Sequence, residues 1–158
     1  GNMVREDGVF CPLAVIKMPQ GDNIADAFWR TGNLAAEVDV ATGKIKTVTR
    51  RGIETDYLEA HPDAPGLMGL TLPHWDALCD INARAANIFA PIRYQSTDIA
   101  ITEDGPVIVE LNYGGGFDLP QYACGRGMLT PEVRAFFEGC GYSFGQAKGG
   151  SFWGTRRA

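Results

Sequence analysis

Residues Tyr94 to Gly116 read YQSTDIAITEDGPVIVELNYGGG and predict a β-hairpin. Two runs rich in Ile and Val flank Glu103-Asp104-Gly105, and a three-residue connection that contains Gly is a common hairpin loop. With a symmetric loop of that length, Asp98 lies directly opposite Glu110. Side chains alternate between the faces of a strand, so Asn112 shares a face with Glu110.

This alternation divides the hairpin into two faces. We expect one face to be core, formed by Ile99, Ile101, Val107, Val109 and Leu111. The other face carries Asp98, Ala100, Thr102, Ile108, Glu110 and Asn112.

The second face brings two carboxylates together. Side chains directly opposite on paired strands have Cβ atoms about 5 Å apart, and like charges placed so are destabilising. A divalent cation reverses the sign of that interaction, and two carboxylates with an amide oxygen suit Mg²⁺ or Mn²⁺. Asp98, Glu110 and Asn112 are therefore candidate metal ligands. The alternative is an ordinary solvated face, on which Asp and Glu need no ligand.

A glycine run follows the hairpin directly. Gly114 and Gly115 have no Cβ atom, so a phosphate group can approach the backbone there, and we take both as candidates for phosphate binding. The segment 117–124 then predicts the start of a helix. Three polar residues on or just after it are candidates for substrate binding: Asp118, Gln121 and Arg126.

The bulk composition is that of a globular protein. The chain has 158 residues, 45% apolar and 21% charged, and its net charge of −5 gives no electrostatic reason to bind nucleic acid or an anionic membrane. Four scattered cysteines without a C-x-x-C pair indicate neither a zinc site nor a disulfide framework. No apolar run approaches the roughly 20 residues that span a bilayer, so we expect a soluble, cytoplasmic protein.

The remaining pattern predicts an α+β fold with a mainly antiparallel β-sheet of five or six strands and helices packed on one face. Residues 9–18 are predicted to form one buried strand. Residues 34–40 alternate and predict a strand with one wet face, which a turn joins to residues 44–50 in a second hairpin. Helices are predicted over 73–89 and from Thr130 onward. We expect a single domain over residues 1–158, with a disordered tail at 145–158.

The order strand-Asp, short turn, strand-Glu-x-Asn and small-residue loop resembles the last metal-binding hairpin of the ATP-grasp superfamily. More narrowly, three motifs are similar to the sugar-transfer-associated ATP-grasp family, some of whose members carry a hexapeptide-transferase label. They are His61-Pro62-Asp63, Leu72-Pro73-His74-Trp75, and Asp98-Ile-Ala-Ile-Thr followed by Gly105-Pro-Val-Ile-Val-Glu-Leu-Asn112. The resemblance covers the chain to about Thr130. It implies the fold of the C-terminal ATP-grasp subdomain and favours the metal site over the solvated face.

The resemblance also implies phosphate contacts near the N-terminus. Lys17 corresponds to a basic residue that similar enzymes keep near this strand, although a charge at a strand edge is the alternative. In the following loop the family has an Asn-Phe pair and two glycines, whereas this chain has Ala27 and only Gly32, followed by Asn33. We take Asn33 as a candidate for phosphate binding. Arg30 is a candidate to supply charge in their place, or else a surface arginine.

The resemblance implies an ATP- and Mg²⁺-dependent ligase that activates a carboxylate through an acyl-phosphate, with a small-molecule or saccharide acceptor linked to polysaccharide metabolism. The alternative is a non-catalytic nucleotide or sugar-phosphate binding module that needs a partner chain. A hexapeptide acyltransferase is a weak third option, because the chain has no six-residue repeat. Other ATP-grasp enzymes have further subdomains before this one, so we expect either a missing N-terminal subdomain or a homodimer.

Overall fold

The computed structural model describes residues 1–23 and 31–145 of the chain. Two compact units are present, one from Gly1 to Met128 and one that begins at Leu129. The predicted tail at 145–158 lies outside the described residues except for Gly145, and Arg30 and Ala27 lie outside them too.

The described residues contain eight strands and three α-helices. In chain order the strands are β1 (Asn2–Arg5), β2 (Gly8–Phe10), β3 (Ala14–Met18), β4 (Leu34–Val38), β5 (Val48–Arg50), β6 (Asp56–Leu58), β7 (Tyr94–Thr102) and β8 (Gly105–Asn112). The helices are α1 (Trp75–Ile88), α2 (Asp118–Cys124) and α3 (Pro131–Gly139), and a single 3₁₀ turn spans Pro65–Leu67.

The strands form two four-stranded sheets, in the orders β2-β1-β7-β8 and β3-β4-β5-β6. All strand pairs between the described strands are antiparallel, so the α+β class is confirmed, with two sheets where one was expected. Antiparallel pairing also differs from the parallel β-helix of a hexapeptide-repeat acyltransferase, so the described residues do not support that third option.

The predicted strand over residues 9–18 is in fact two strands in different sheets. It breaks at Cys11-Pro12-Leu13, between β2 in the first sheet and β3 in the second. Pro12 has no N–H to donate to a ladder and restricts the residue before it. The apolar run therefore crosses from one sheet to the other at its proline.

The hairpin of β7 and β8 has the predicted pairing of Asp98 with Glu110, but by a different route. Thr102 pairs with Gly105, so the turn has two residues instead of three. A β-bulge between Asp98 and Ile99 then shifts the register by one residue and brings the two carboxylate residues opposite each other.

The same shift changes which side chains are buried. Val107 and Val109 were expected in the core, and both are exposed, at 52% and 67%. Ile108 was expected on the opposite face from Ile99, but the two residues pair and share the core face. The cause is the bulge, which offsets the alternation of β8 against that of β7. The predicted core face is therefore right for β7 and wrong for part of β8.

Helix α1 packs on the first sheet, and its first turns also contact the second. Leu34, Ala36 and Val38 of β4 form a core cluster with Trp75 at the helix start. The indole of Trp75 donates to the carbonyl of Val40 at 3.0 Å. No helix among the described residues is long and apolar enough to span a bilayer.

Helix α2 covers the opposite face of β4, so the prediction that this face is exposed to solvent is wrong. Ala35 and Ala123 form a buried cluster on that side, and Glu37 is only 4% exposed. Alternation along β4 places Ala35 and Glu37 together, away from Leu34 and Ala36. Helices thus lie on both faces of the second sheet, although one face was expected.

The unit that begins at Leu129 contains α3. Thr130 is its N-cap, with a side-chain oxygen that accepts the backbone N–H of Val133, and Pro131 takes the first helical position. These two features confirm the helix start that was predicted from the sequence. Phe137 contacts the rings of Tyr142 and Phe144 within this unit.

Candidate nucleotide, metal and acceptor site

The carboxylates of the hairpin lie beside a lysine of the other sheet. Asp98 and Glu110 are direct cross-strand partners, and Asn112 follows two residues later on the same strand. The Nζ atom of Lys17 on β3 lies 3.8 Å from Oδ2 of Asp98, with the two side chains 26% and 41% exposed. The ammonium group offsets part of the repulsion between the paired carboxylates. A predicted phosphate ligand and a predicted metal ligand are therefore adjacent.

The side chains around this pair fit a hard divalent cation by type. Carboxylate and amide oxygens are the donors that Mg²⁺ and Mn²⁺ prefer, and one or two carboxylates suffice when water and phosphate complete the shell. Within residues 1–23 and 31–145, no cluster of three or more His, Cys, Asp or Glu side chains is placed for a metal. The donor set is limited to two carboxylates and one amide, so metal binding by Asp98, Glu110 and Asn112 stays a prediction.

Asn33 has a structural contact. It is 4% exposed, and its Oδ1 accepts the backbone N–H of Gln20 at 3.1 Å. This bond ties the two ends of the loop that joins β3 to β4. A direct phosphate contact by Asn33 therefore stays a prediction.

The two candidate glycines differ in their surroundings. A Cβ atom on Gly114 would meet nothing within 4 Å, whereas one on Gly115 would lie 3.1 Å from both the Cβ of Ser96 and the hydroxyl of Tyr94. Close packing against Ser96 and Tyr94 thus favours a glycine at position 115. Gly114 alone leaves open space beside the backbone, as a phosphate contact requires.

An aromatic pair holds the glycine loop against β7. The rings of Tyr94 and Phe117 stack with centroids 5.2 Å apart, and the hydroxyl of Tyr94 donates to the carbonyl of Gly115 at 3.1 Å. Burial raises the pKa of Tyr94 to about 12, which keeps the hydroxyl protonated as a donor. The start of α2 is therefore fixed relative to the hairpin.

The three predicted substrate-binding residues lie together in one cleft. The cleft has a volume of about 490 Å³ and is formed by β6, the residues just before it, and α2 with its C-terminal loop. Its lining consists of Thr55, Tyr57, Asp118, Gln121, Tyr122, Gly125, Arg126 and Gly127. Substrate binding by Asp118, Gln121 and Arg126 stays a prediction.

A half-buried ion pair holds Arg126 in the lining of the cleft. Nη1 of Arg126 donates to Oε2 of Glu37 at 2.8 Å, and Nη2 donates to Oε1 at 2.7 Å. The hydrogen bonds from Arg126 lower the pKa of Glu37 against the opposing effect of burial, so Glu37 is ionised. Lys46 lies 3.6 Å from the same carboxylate. The arginine is therefore fixed in position beside the cleft.

Tyrosine side chains complete the cleft, and sequence reasoning did not identify them. The hydroxyl of Tyr57 donates to the carbonyl of Tyr122 at 2.9 Å, while 53% of the Tyr57 residue stays exposed. Burial and the nearby Cys124 raise the pKa of Tyr57, which keeps that donor protonated. Gly125 ends α2 with a φ of +67°, and a Cβ atom there would lie 2.9 Å from the Tyr57 hydroxyl. In the sequence, Gly125 is the one residue that could have indicated that Tyr57 packs closely against the end of α2, because glycine has no Cβ atom.

Two antiparallel sheets with helices define an α+β domain like the C-terminal subdomain of ATP-grasp proteins. A family model for sugar-transfer associated ATP-grasp proteins matches residues 2–136, and the chain belongs to this family. It is an ATP-grasp-type nucleotide-binding module associated with sugar transfer, and the resemblance stated from the sequence is confirmed. Comparison with curated proteins and with solved structures gave no match.

Proposed function

We propose that this chain binds ATP with Mg²⁺ or Mn²⁺ and takes part in ATP-dependent ligation of a substrate linked to saccharide metabolism. The observation that carries the proposal is the cross-strand pair of Asp98 and Glu110, with Lys17 at 3.8 Å from Asp98. Anionic and cationic groups side by side match a ligand that is a triphosphate with its cation.

Each element of the site has a distinct role in this proposal. Asp98, Glu110 and Asn112 hold the cation, which neutralises phosphate charge as it builds up. Lys17 contacts a phosphate oxygen, and the open backbone at Gly114 admits the phosphates. These side chains position and stabilise charge, and none of them is required to transfer a proton.

The proposed reaction has two displacements. A substrate carboxylate oxygen attacks the γ-phosphorus of ATP, the bond to the bridging oxygen breaks, and ADP leaves. An amine or similar nucleophile then attacks the acyl carbon and releases inorganic phosphate. The acceptor would occupy the cleft at Asp118, Gln121 and Arg126.

Calorimetric titration of ATP in the presence and absence of Mg²⁺ tests this proposal. Binding that requires the metal and is lost in Asp98→Asn and Glu110→Gln supports it. Asp104→Asn is the matched control, because Asp104 carries the same charge in the exposed turn of the same hairpin. ATP binding of equal strength without metal, unchanged in Asp98→Asn, would contradict it.

A non-catalytic nucleotide or sugar-phosphate binding module is the second candidate. It is favoured by the ion pair of Lys17 with Asp98, because the protein's own ammonium compensates one carboxylate. Such a module would bind ATP or a sugar phosphate without metal and would release no inorganic phosphate. A partner chain would then supply the chemistry.

A further inference from the structure

We propose that the cleft between Tyr57 and Arg126 is a binding site for an uncharged saccharide and discriminates against anionic sugars. This inference rests on the proposed function, because it names the chemical class of its acceptor. It does not require the metal site at Asp98.

The lining has the groups that bind a sugar ring. Thr55, Asp118 and Gln121 present hydroxyl, carboxylate and amide groups, which donate to and accept from sugar hydroxyls. Tyr57 is half exposed and offers a ring on which an apolar sugar face can stack, while its hydroxyl is held by the carbonyl of Tyr122. The volume of about 490 Å³ lies within the range of small-molecule sites, roughly 300–1,000 Å³.

The charges in the cleft disfavour binding of an anionic ligand. Among the described residues that line the cleft, Arg126 is the only cation, and both of its terminal nitrogens donate to the carboxylate of Glu37, which is buried and ionised. Asp118, in contrast, is exposed and has no hydrogen-bond partner among the described residues. Lys46 also lies 3.6 Å from the Glu37 carboxylate but is not in the lining. Among the described lining residues, Asp118 carries the one carboxylate, and no ion pair there offsets its repulsion of an anionic ligand. The remaining N–H groups of Arg126 can donate to hydroxyls without attracting a second carboxylate.

The orientation of Gln121 supports a polar, uncharged ligand. Its Oε1 accepts the backbone N–H of Met128 at 3.4 Å, which fixes the amide so that Nε2 is available as a donor. Among the described residues, Nε2 of Gln121 has no partner. A sugar hydroxyl would satisfy it together with the carboxylate of Asp118.

The test is ¹H–¹⁵N NMR of the full chain, without metal or nucleotide, titrated with neutral sugars, glucuronate and inorganic phosphate. The neutral panel is glucose, galactose, mannose and N-acetylglucosamine. We expect at least one neutral sugar to shift the amides of Tyr57, Gln121 and Gly127, several-fold more tightly than glucuronate. The proposal is overturned if no neutral sugar shifts these amides, or if glucuronate or phosphate binds more tightly.

Three variants sharpen this test. Tyr57→Ala is expected to weaken the sugar about five- to tenfold, the size of one aromatic contact, and Tyr57→Phe to retain it. Asp118→Asn should strengthen glucuronate relative to the neutral sugar, because it removes the negative charge. Equal sugar affinity in Tyr57→Ala and the unmodified chain, with amide spectra otherwise unchanged, would overturn the stacking contact.

The outcome is separable from that of the ATP experiment. Asp98→Asn leaves the cleft intact, so it should keep full sugar affinity while losing metal-dependent ATP binding. Sugar binding without ATP binding in the unmodified chain would refute the ligase proposal alone. ATP binding without sugar binding would refute the saccharide cleft alone.

Discussion

The carboxylate of Glu37 accepts two hydrogen bonds from the guanidinium of Arg126, at 2.7 and 2.8 Å. Glu37 comes from the middle of β4, while Arg126 follows α2, so the pair joins a central strand to the wall of the cleft. The Glu37 residue is 4% exposed and the arginine side chain 52% exposed. Such a pair fixes geometry more than it stabilises the fold, because burial of the carboxylate opposes the gain.

This ion pair predicts a specific pH dependence. Hydrogen bonds from Arg126 hold the pKa of Glu37 below its ordinary value of 4.5, so the pair stabilises the fold above that pH and the contribution is lost as pH falls further. We expect Glu37→Gln to lower the free energy of unfolding by about 1–2 kcal/mol at pH 7, less than for a fully buried pair. The deficit should shrink below about pH 4.5. Urea denaturation at several pH values measures it, and a deficit that is constant with pH would contradict it.

A second prediction concerns the end of α1. Gln95 is fully buried, and the two N–H groups of its Nε2 are shared among the carbonyls of Ala86, Phe89 and Ile92, at 3.1, 2.9 and 2.7 Å. Ala86 lies in the last turn of α1, where carbonyls have no partner within the helix, and Phe89 and Ile92 follow the helix, so this side chain ties the helix end to the turn after it. We expect Gln95→Leu to lower the free energy of unfolding by about 2 kcal/mol, since buried carbonyls lose their donor. Thermal unfolding followed by circular dichroism measures the loss.

Gln95→Glu is the matched comparison for that prediction. A carboxylate of the same length would face three carbonyl oxygens without a donor, so this variant should be less stable than Gln95→Leu. Equal stability of Gln95→Glu and the unmodified chain would contradict the capping role.

The sequence was sufficient for features that depend on local chemistry. The start of α3 follows from Thr130-Pro131, and the presence of the β7–β8 hairpin follows from its strand and turn residues, although Asp98 reaches Glu110 through a shorter turn and a bulge. It was insufficient where one residue of register matters. The bulge beside Asp98 exposes Val109, and neither a Gly nor a Pro marks it.

Tertiary contacts explain the remaining differences between the sequence predictions and the structure. Glu37 alternates with apolar neighbours and therefore looked like a solvent-facing residue, but Arg126 lies 89 positions away in the chain and buries it. No local pattern contains that partner. The cleft likewise combines Tyr57 with α2, so its aromatic side could not be read from the segment that contains Asp118.

A third prediction concerns Lys17. Its ammonium group competes with any cation for Asp98, so Lys17→Met should strengthen Mn²⁺ binding without nucleotide, by roughly two- to fivefold for a partly exposed pair. The same change should weaken ATP binding in the presence of metal, because a phosphate contact is lost. Electron paramagnetic resonance of free Mn²⁺ measures the first effect, and calorimetry measures the second.

Lys44→Met controls for the change in net charge, because Lys44 is an exposed lysine on the loop between β4 and β5. It should alter neither affinity by more than twofold, because Lys44 forms no ion pair with Asp98 among the described residues and salt screens an exposed charge. If both lysine variants changed Mn²⁺ binding equally, the effect would come from net charge and not from the ion pair.

A fourth prediction separates packing from phosphate binding in the glycine loop. Gly115→Ala should lower the free energy of unfolding by about 1 kcal/mol, because its Cβ would lie 3.1 Å from Ser96 and from the Tyr94 hydroxyl. Gly114→Ala should change it by less than about 0.5 kcal/mol, because a Cβ there meets nothing within 4 Å. If phosphate approaches the backbone at Gly114, this stable variant should nevertheless bind ATP more weakly. Calorimetry on both variants decides the matter, and unchanged ATP affinity in Gly114→Ala would show that the open space beside Gly114 is not used by the nucleotide.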